Sequence, residues 1–266
     1  KVGLLFELTG NVASYGTAEA AGAKMAAEEI NAAGGVNGKK IQLVEYDTKS
    51  DTAETTTLSA KLMTQDKVVA IIGPATSGGM KAQIQLSAKN SVPIVSGSAT
   101  ADDLTVSNGK LNDFIFRTCF TDSYQGTVMA NYAASKLNAK TAVVLKDTSS
   151  DYAKGLADNF DKQFTAKGGQ VVATEAYTAK QTDFNAVLTK LKGQQFDIMY
   201  VPGYYEELGL IIKQARALGI TAPITGGDGY EAPKLAELAG TALTDVYYTN
   251  HYSSTDTDPK VTKFIE

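Results

Sequence analysis

A chain of 266 residues exceeds what one compact core usually organises, at roughly 150 residues per domain, and favours two lobes. Its 43% hydrophobic and 20% charged residues are those of a globular protein, and no run approaches the ~18 consecutive apolar residues of a membrane span. The net charge of −4 is spread over interspersed acids and bases, which leaves no basic stripe for nucleic acid and no long-range steering of acidic substrates.

Lys1 opens directly into the apolar run 2–6, the first predicted strand, so the chain reads either as cytosolic or as secreted with its leader removed. Residues 17–33 follow as a helix with Ala18, Gly22, Met25, Ala26 and Ile30 on its inner face and Gly34-Gly35 as its stop. Strands at 41–46, 68–72 and 92–95 alternate with helices whose inner faces carry Leu58, Leu62 and Met63, then Met80, Ile84 and Ala88. The lone Cys119 makes no internal disulfide and reads as a small buried hydrophobe. The polar stretch 119–122 reads as a hinge, because the same grammar restarts after it. Helix faces at Val128, Met129, Tyr132 and Leu137, at Leu156, Phe160 and Phe164, at Phe184, Val187, Leu188 and Leu191, and at Leu208, Ile211, Ile212 and Ala215 alternate with strands at 142–145, 171–173 and 197–201. A short run at 223–225 and a strand at 246–252 come next, and a helix from 256 runs out at Glu266, which predicts that further chain follows. Two successive α/β blocks with parallel sheets result.

In such sheets ligands bind beyond the carboxyl ends of the strands. The turn 73–79 after the third strand reads either as an anion cradle built on Ser77 and the following helix's N–H groups, or as a tight turn with Ser77 as N-cap. Ser98, Ala99 and Thr100 sit in a second such turn, 96–100, before a predicted short helix opened by Asp102 and Asp103. Asp228, flanked by Gly227 and Gly229, reads as a turn residue or as a bare carboxylate for a ligand cation. Tyr15, Tyr152 and Tyr204 bring apolar rings with polar tips to three further strand ends. The sole histidine, His251, makes neither a triad nor a metal site, and no phosphate loop, dinucleotide fingerprint or nucleophile elbow occurs; no cofactor is expected.

The opening Gly10 to Gly16 with its Tyr15-Gly16, the run 26–38, Tyr46-Asp47, the 73–77 turn, Phe116-Arg117-Thr118, residues 151–156 and Gly203-Tyr204-Tyr205 leading into Gln214-Ala215-Arg216 together resemble the type I periplasmic binding proteins for branched-chain amino acids. The resemblance spans the whole chain. It implies two Rossmann-like lobes joined by hinge strands, a first lobe of residues 1–119 plus 250–266 and a second of 120–249, with one crossover and a pocket aromatic of the family outside this chain. It implies a carboxylate held at Ser77 and Thr100, an ammonium held by the Ser98 carbonyl, Thr100 and Asp228, and walls from Tyr15, Tyr152 and Tyr204. The family's usual glutamate is Asp228 here and its usual alanine is Ser98, so the head-group site is shorter and more polar. The implied partners are a free amino acid and the permease subunits of an ABC transporter, outside the cytoplasmic membrane, with the protein a monomer, free in a periplasm or held by a lipid anchor. A ligand-sensing receptor on the same fold and an α/β enzyme using Asp228 as acid or base are the competing readings.

Overall fold

The apolar run at the start forms strand β1 (Val2–Phe6), which buries Leu4, Leu5 and Phe6 completely in the computed structural model of residues 1–266. After it come α1 (Ala13–Ala32), β2 (Leu43–Asp47), α2 (Thr52–Lys61), β3 (Ile71–Ile72), α3 (Ser77–Asn90), β4 (Ile94–Ser96), a small hairpin of β5 (Val106–Ser107) and β6 (Lys110–Leu111), and β7 (Ile115–Arg117). The second half holds α4 (Asp122–Ser135), β8 (Thr141–Asp147), α5 (Asp151–Ala166), β9 (Gln170–Tyr177), α6 (Asn185–Lys192), β10 (Ile198–Tyr200), α7 (Tyr205–Ala217), β11 (Ile224–Gly226), α8 (Pro233–Ala239), β12 (Val246–Tyr248) and α9 (Pro259–Ile265).

Two five-stranded sheets form, in the orders β2-β1-β3-β4-β7 and β12-β11-β10-β8-β9, and every pairing within them is parallel. The α/β reading with parallel sheets holds. Each order reverses direction once, between β1 and β3 in the first sheet and between β8 and β10 in the second. Such a switch point opens a crevice at the strands' carboxyl ends, because the loops on either side leave toward opposite faces. The loops concerned lead to Tyr15, Ser77 and Tyr152 in the first turns of α1, α3 and α5, and to Tyr204 just before α7.

Alternation along β8 shows how the second sheet is buried on both faces: Val143 and Leu145 join the core under α6, α7 and α8, while Ala142 and Val144 join the one under α4 and α5. The predicted stripe Leu208, Ile211, Ile212 and Ala215 is wholly buried, as are Leu156, Phe160 and Phe164.

Three expectations are corrected. In α1 the buried face is Gly16, Ala20 and Ala27, and Met25 and Ile30, placed inside by periodicity, are 52% and 41% exposed. This alanine-rich helix offers several apolar stripes, and close approach decides among them: a Cβ on Gly16 would lie 2.3 Å from the Glu7 carbonyl oxygen, so the helix touches the end of β1 at that residue. The helix expected at Asp102 and Asp103 is replaced by turns leading into β5. There the Arg117 guanidinium takes the carbonyls of Ala99 (3.2 Å) and Ala101 (2.8 Å), which a helix would have used for its own first bonds. The last strand stops at Tyr248 and does not run on to Tyr252: the Thr249 N–H makes the final ladder bond, to the Gly226 carbonyl, and its hydroxyl turns to Gln125. No helix of the structure is long and apolar enough to cross a membrane.

Candidate functional site

A cavity of about 860 Å³ opens between the two sheets' carboxyl ends. Ser14, Tyr15 and Glu19 of α1, the 75–77 turn and Gly97-Ser98 line one side; Tyr152, Tyr204, Asp228 and Gly229 line the other, and residues 250–254 run past its edge. Of the predicted residues, Tyr15, Ser77, Ser98, Tyr152, Tyr204 and Asp228 meet here. Ala99 and Thr100 do not reach the wall: both are fully buried behind it. Their carbonyls explain why, since Ala99 gives its oxygen to Arg117 and Thr100 accepts from the Asp122 N–H at 2.9 Å, which draws the turn inward after Ser98.

The 73–77 turn is an anion cradle, but part of it holds the protein's own anion. Glu7, buried at the end of β1, accepts from the N–H groups of Ala75 (3.0 Å) and Thr76 (3.1 Å) and from the Thr76 hydroxyl (2.6 Å). Thr76, not Ser77, caps α3, accepting from the Gly79 N–H. Ser77 is the helix's first residue; its hydroxyl accepts from the Ala101 N–H (3.1 Å) and keeps its own proton to donate. The N–H groups of Ser77 and Gly78 take no partner within the protein, and they stand at the positive end of the α3 dipole.

Opposite them, Asp228 is not the bare carboxylate that its glycine neighbours implied. Its Oδ1 accepts from Tyr152 (2.7 Å) and from the Gln125 amide (3.0 Å), which leaves Oδ2 toward the cavity. Burial raises its pKa, opposed by those two hydrogen bonds. The glycines here serve close approach: a Cβ on Gly227 would meet Leu156 at 2.6 Å and the Tyr152 hydroxyl at 2.7 Å, and one on Gly229 would meet the Gly203 carbonyl at 2.3 Å. Tyr152 and Tyr204 stack at 5.1 Å, and Tyr15 crosses the cleft to donate to the Gly229 carbonyl at 2.5 Å.

Several site residues escaped the sequence reading. Glu19 faces the cavity, and Ser98 has one hydroxyl proton for two acceptors, the Glu19 carboxyl and the Ala75 carbonyl at 2.8 Å. A proton on Glu19 resolves that conflict, and burial pushes its pKa up to about 7. Glu7, directly after β1, was readable by the strand-end rule that selected the tyrosines, whereas Glu19 lies one helical turn beyond Tyr15 in α1. His251, expected to be structural, is exposed on the cavity's rim and stacks on Phe120 at 4.1 Å, joining the segment after β12 to the one before α4. Cys119 is only half-buried, and burial pushes its thiol up to about 12, so a reactive thiolate is disfavoured.

The acids impose a pH dependence. Asp122, wholly buried, is raised to about 8 chiefly by burial, and the Thr100 hydroxyl lies beside it without a well-formed hydrogen bond. Unfolded carboxyls ionise near pH ~4, so between that value and about 7 for Glu19 or about 8 for Asp122 the folded chain holds protons that the unfolded chain has lost. Their contribution is complete below pH ~4 and is lost as pH rises through the folded values. Melting temperature should therefore fall from about pH 5 to about pH 9, and Asp122→Asn should flatten part of that fall. Parallel curves for the two proteins would remove Asp122 from the cause.

A cavity lined by Glu19, Asp228 and Glu231, with His251 on its rim and no lysine or arginine, offers a ligand anion chiefly N–H and O–H donors, and a ligand cation carboxylates. Those donors and Asp228 stand on opposite sides. A model of the periplasmic binding protein family matches residues 1–266. The chain is 34% identical over 254 residues to the Leu/Ile/Val-binding protein BraC3 of Rhizobium johnstonii, covering 96% of this chain and 68% of that one. It is 34% identical over 242 residues to the leucine-, isoleucine-, valine-, threonine- and alanine-binding protein of Pseudomonas aeruginosa, covering 91% and 64%. Among solved structures, the branched-chain amino acid transporter substrate binding protein LivJ of Streptococcus pneumoniae in complex with isoleucine superposes with a TM-score of 0.91 at 44% identity, over 99% of this chain and 74% of that one. The chain thus spans about two thirds of the length of the curated relatives it matches.

Proposed function

The chain belongs to the periplasmic binding protein family, and from that premise we propose that its cleft captures a free α-amino acid of the branched-chain class and presents it to an ABC permease outside the cytoplasmic membrane. The observation that carries this reading is the opposition, across one cavity, of unpaired N–H and O–H donors at the head of α3 to the open oxygen of Asp228. A zwitterion fits such a pair; a simple anion would leave Asp228 unanswered, and a simple cation would leave the helix end so.

Ser77 and the first amides of α3 take the carboxylate. Asp228 and the Ser98 carbonyl take the ammonium, with Ala99 and Thr100 shaping the turn from behind. Tyr15, Tyr152 and Tyr204 wall the side chain. The lobe that carries the donors comprises residues 1–119 with 250–266, and the lobe that carries Asp228 comprises 120–249. A ligand touching both stabilises their approach, which is how differential affinity drives hinge closure. The role is capture rather than catalysis, by a monomer that is either free in a periplasm or held by a lipid anchor.

Magnitudes support a head-group site. Burying a Leu or Ile side chain yields about 1.5–3 kcal/mol, whereas micromolar affinity needs about 8 kcal/mol. Charge-assisted hydrogen bonds at both ends of the zwitterion are therefore required.

A thermal-shift panel of the twenty amino acids tests the assignment. Ligand at a hundredfold excess over Kd stabilises by about 2.7 kcal/mol, so leucine, isoleucine or valine should give the largest rise in melting temperature. A panel in which no amino acid moves the transition would sink the reading.

A further inference from the structure

Asp228 does not hold its own position, and we propose that Gln125 is the positioning residue that presents its carboxylate to the ligand, clamping it to both segments that connect the two lobes. The inference rests on the amino-acid reading of the cleft. It is carried by one side chain's hydrogen bonds. The Gln125 Nε2 group donates to Asp228 Oδ1 at 3.0 Å and to Asp122 Oδ1 at 3.4 Å, while Oε1 accepts from the Asp228 N–H at 3.0 Å and from the Thr249 hydroxyl at 2.5 Å. A primary amide has two N–H groups and two lone pairs, so its whole capacity is in use.

The orientation of that amide is dictated rather than chosen. Reversed, its oxygen would face the Asp228 carboxylate and its NH₂ would face the Asp228 N–H, leaving that N–H unpaired and only the Thr249 hydroxyl oxygen to accept. Gln125 is 1% exposed and Asp122 0%, so water cannot replace a lost partner cheaply. Gly227 makes room for the clamp: a Cβ there would lie 3.2 Å from Gln125 Oε1.

The partners lie where the lobes are joined. Asp122 opens α4 directly after residues 118–121 leave the first sheet, and Thr249 follows β12 at the start of the segment that lines the cavity's edge. Asp228 is 103 residues from Gln125 in sequence, and Thr249 is 124. One amide therefore fixes the acid on the hinge. With Oδ1 held by Gln125 and Tyr152, Oδ2 points to the cavity, and a ligand ammonium meets an oxygen that needs no reorientation. Movement at either connection moves the clamp and with it the acid.

The test is a double-mutant cycle by calorimetry with L-leucine on the full chain, using Gln125→Met, which keeps the volume and removes every donor and acceptor, alongside Asp228→Asn and the double variant. Gln125→Met should weaken leucine binding about tenfold, equal to about 1.4 kcal/mol, in the natural background and less than about twofold in the Asp228→Asn background. Equal losses in both backgrounds overturn the clamp. A natural chain that binds no leucine sinks the amino-acid reading instead, and for that case the clamp has its own readout: the Asp228 carboxyl titration, followed by carbon-13 NMR without ligand. Losing a donor to the carboxylate should move that titration to higher pH in Gln125→Met, and an unmoved titration overturns the proposal whatever the cleft binds. Should Gln125→Met fail to fold, Thr249→Val removes one bond of the four and should lower leucine affinity about threefold, again only where Asp228 is present; a loss that persists with Asp228→Asn overturns it equally.

Discussion

Replacing Asp228 with asparagine should lower the affinity for leucine by at least about tenfold while leaving the fold intact. The substitution keeps the shape of the side chain and exchanges a carboxylate for an amide. Its two present bonds, from the Tyr152 hydroxyl and the Gln125 amide, both end on Oδ1 and can be kept by the asparagine oxygen, whereas the cavity-facing group becomes an NH₂ aimed at an ammonium. Two donors then confront each other in a cleft from which water is largely displaced, and an unpaired buried ion costs several kcal/mol. Stability should change little or rise, because burial already works against the charged form of Asp228. Calorimetry for binding and a circular-dichroism melt for folding separate the two effects. Unchanged affinity in a folded variant would remove Asp228 from the ligand's contacts.

The second half of the chain was the more legible. Its helices α5 and α7 are strongly one-sided, and Leu156, Phe160, Phe164, Leu208, Ile211 and Ile212 lie inside as their spacing requires. The first half hides its faces, since α1 is rich in alanine and α3 buries Gln83 and Ser87, polar groups that periodicity assigns to solvent; Ser59 donates to Gln83 at 2.8 Å across two helices. Tyr15, Tyr152, Tyr204 and Ser77 line one cavity because strand ends at a switch point converge, which is a property of topology. The burial of Thr100 was not readable, because it follows from which carbonyls Arg117 and Asp122 occupy. Gln125 carried no signal at all: its partners are brought to it by the fold from the far end of the sequence.

The same geometry predicts a large loss for ligands that carry only one of leucine's charges. 4-Methylpentanoate keeps the carboxylate and the branched chain but leaves Asp228 enclosed without a cation. 3-Methylbutylamine keeps the ammonium but leaves the Ser77 hydroxyl and the first N–H groups of α3 without an anion. A hydrogen bond to a charged group contributes about 1.5–3 kcal/mol, and each analogue forfeits more than one, so each should bind about a hundredfold more weakly than leucine or worse. Neither loss depends on the side-chain wall, which is the same for all three.

Calorimetry of leucine, 4-methylpentanoate and 3-methylbutylamine against the natural chain at neutral pH is therefore the most direct measurement of a cleft that holds both ends of a zwitterion. Leucine should bind with both analogues at least about a hundredfold weaker. Either analogue binding within about threefold of leucine would contradict the opposed-charge clamp, whatever the mutants do.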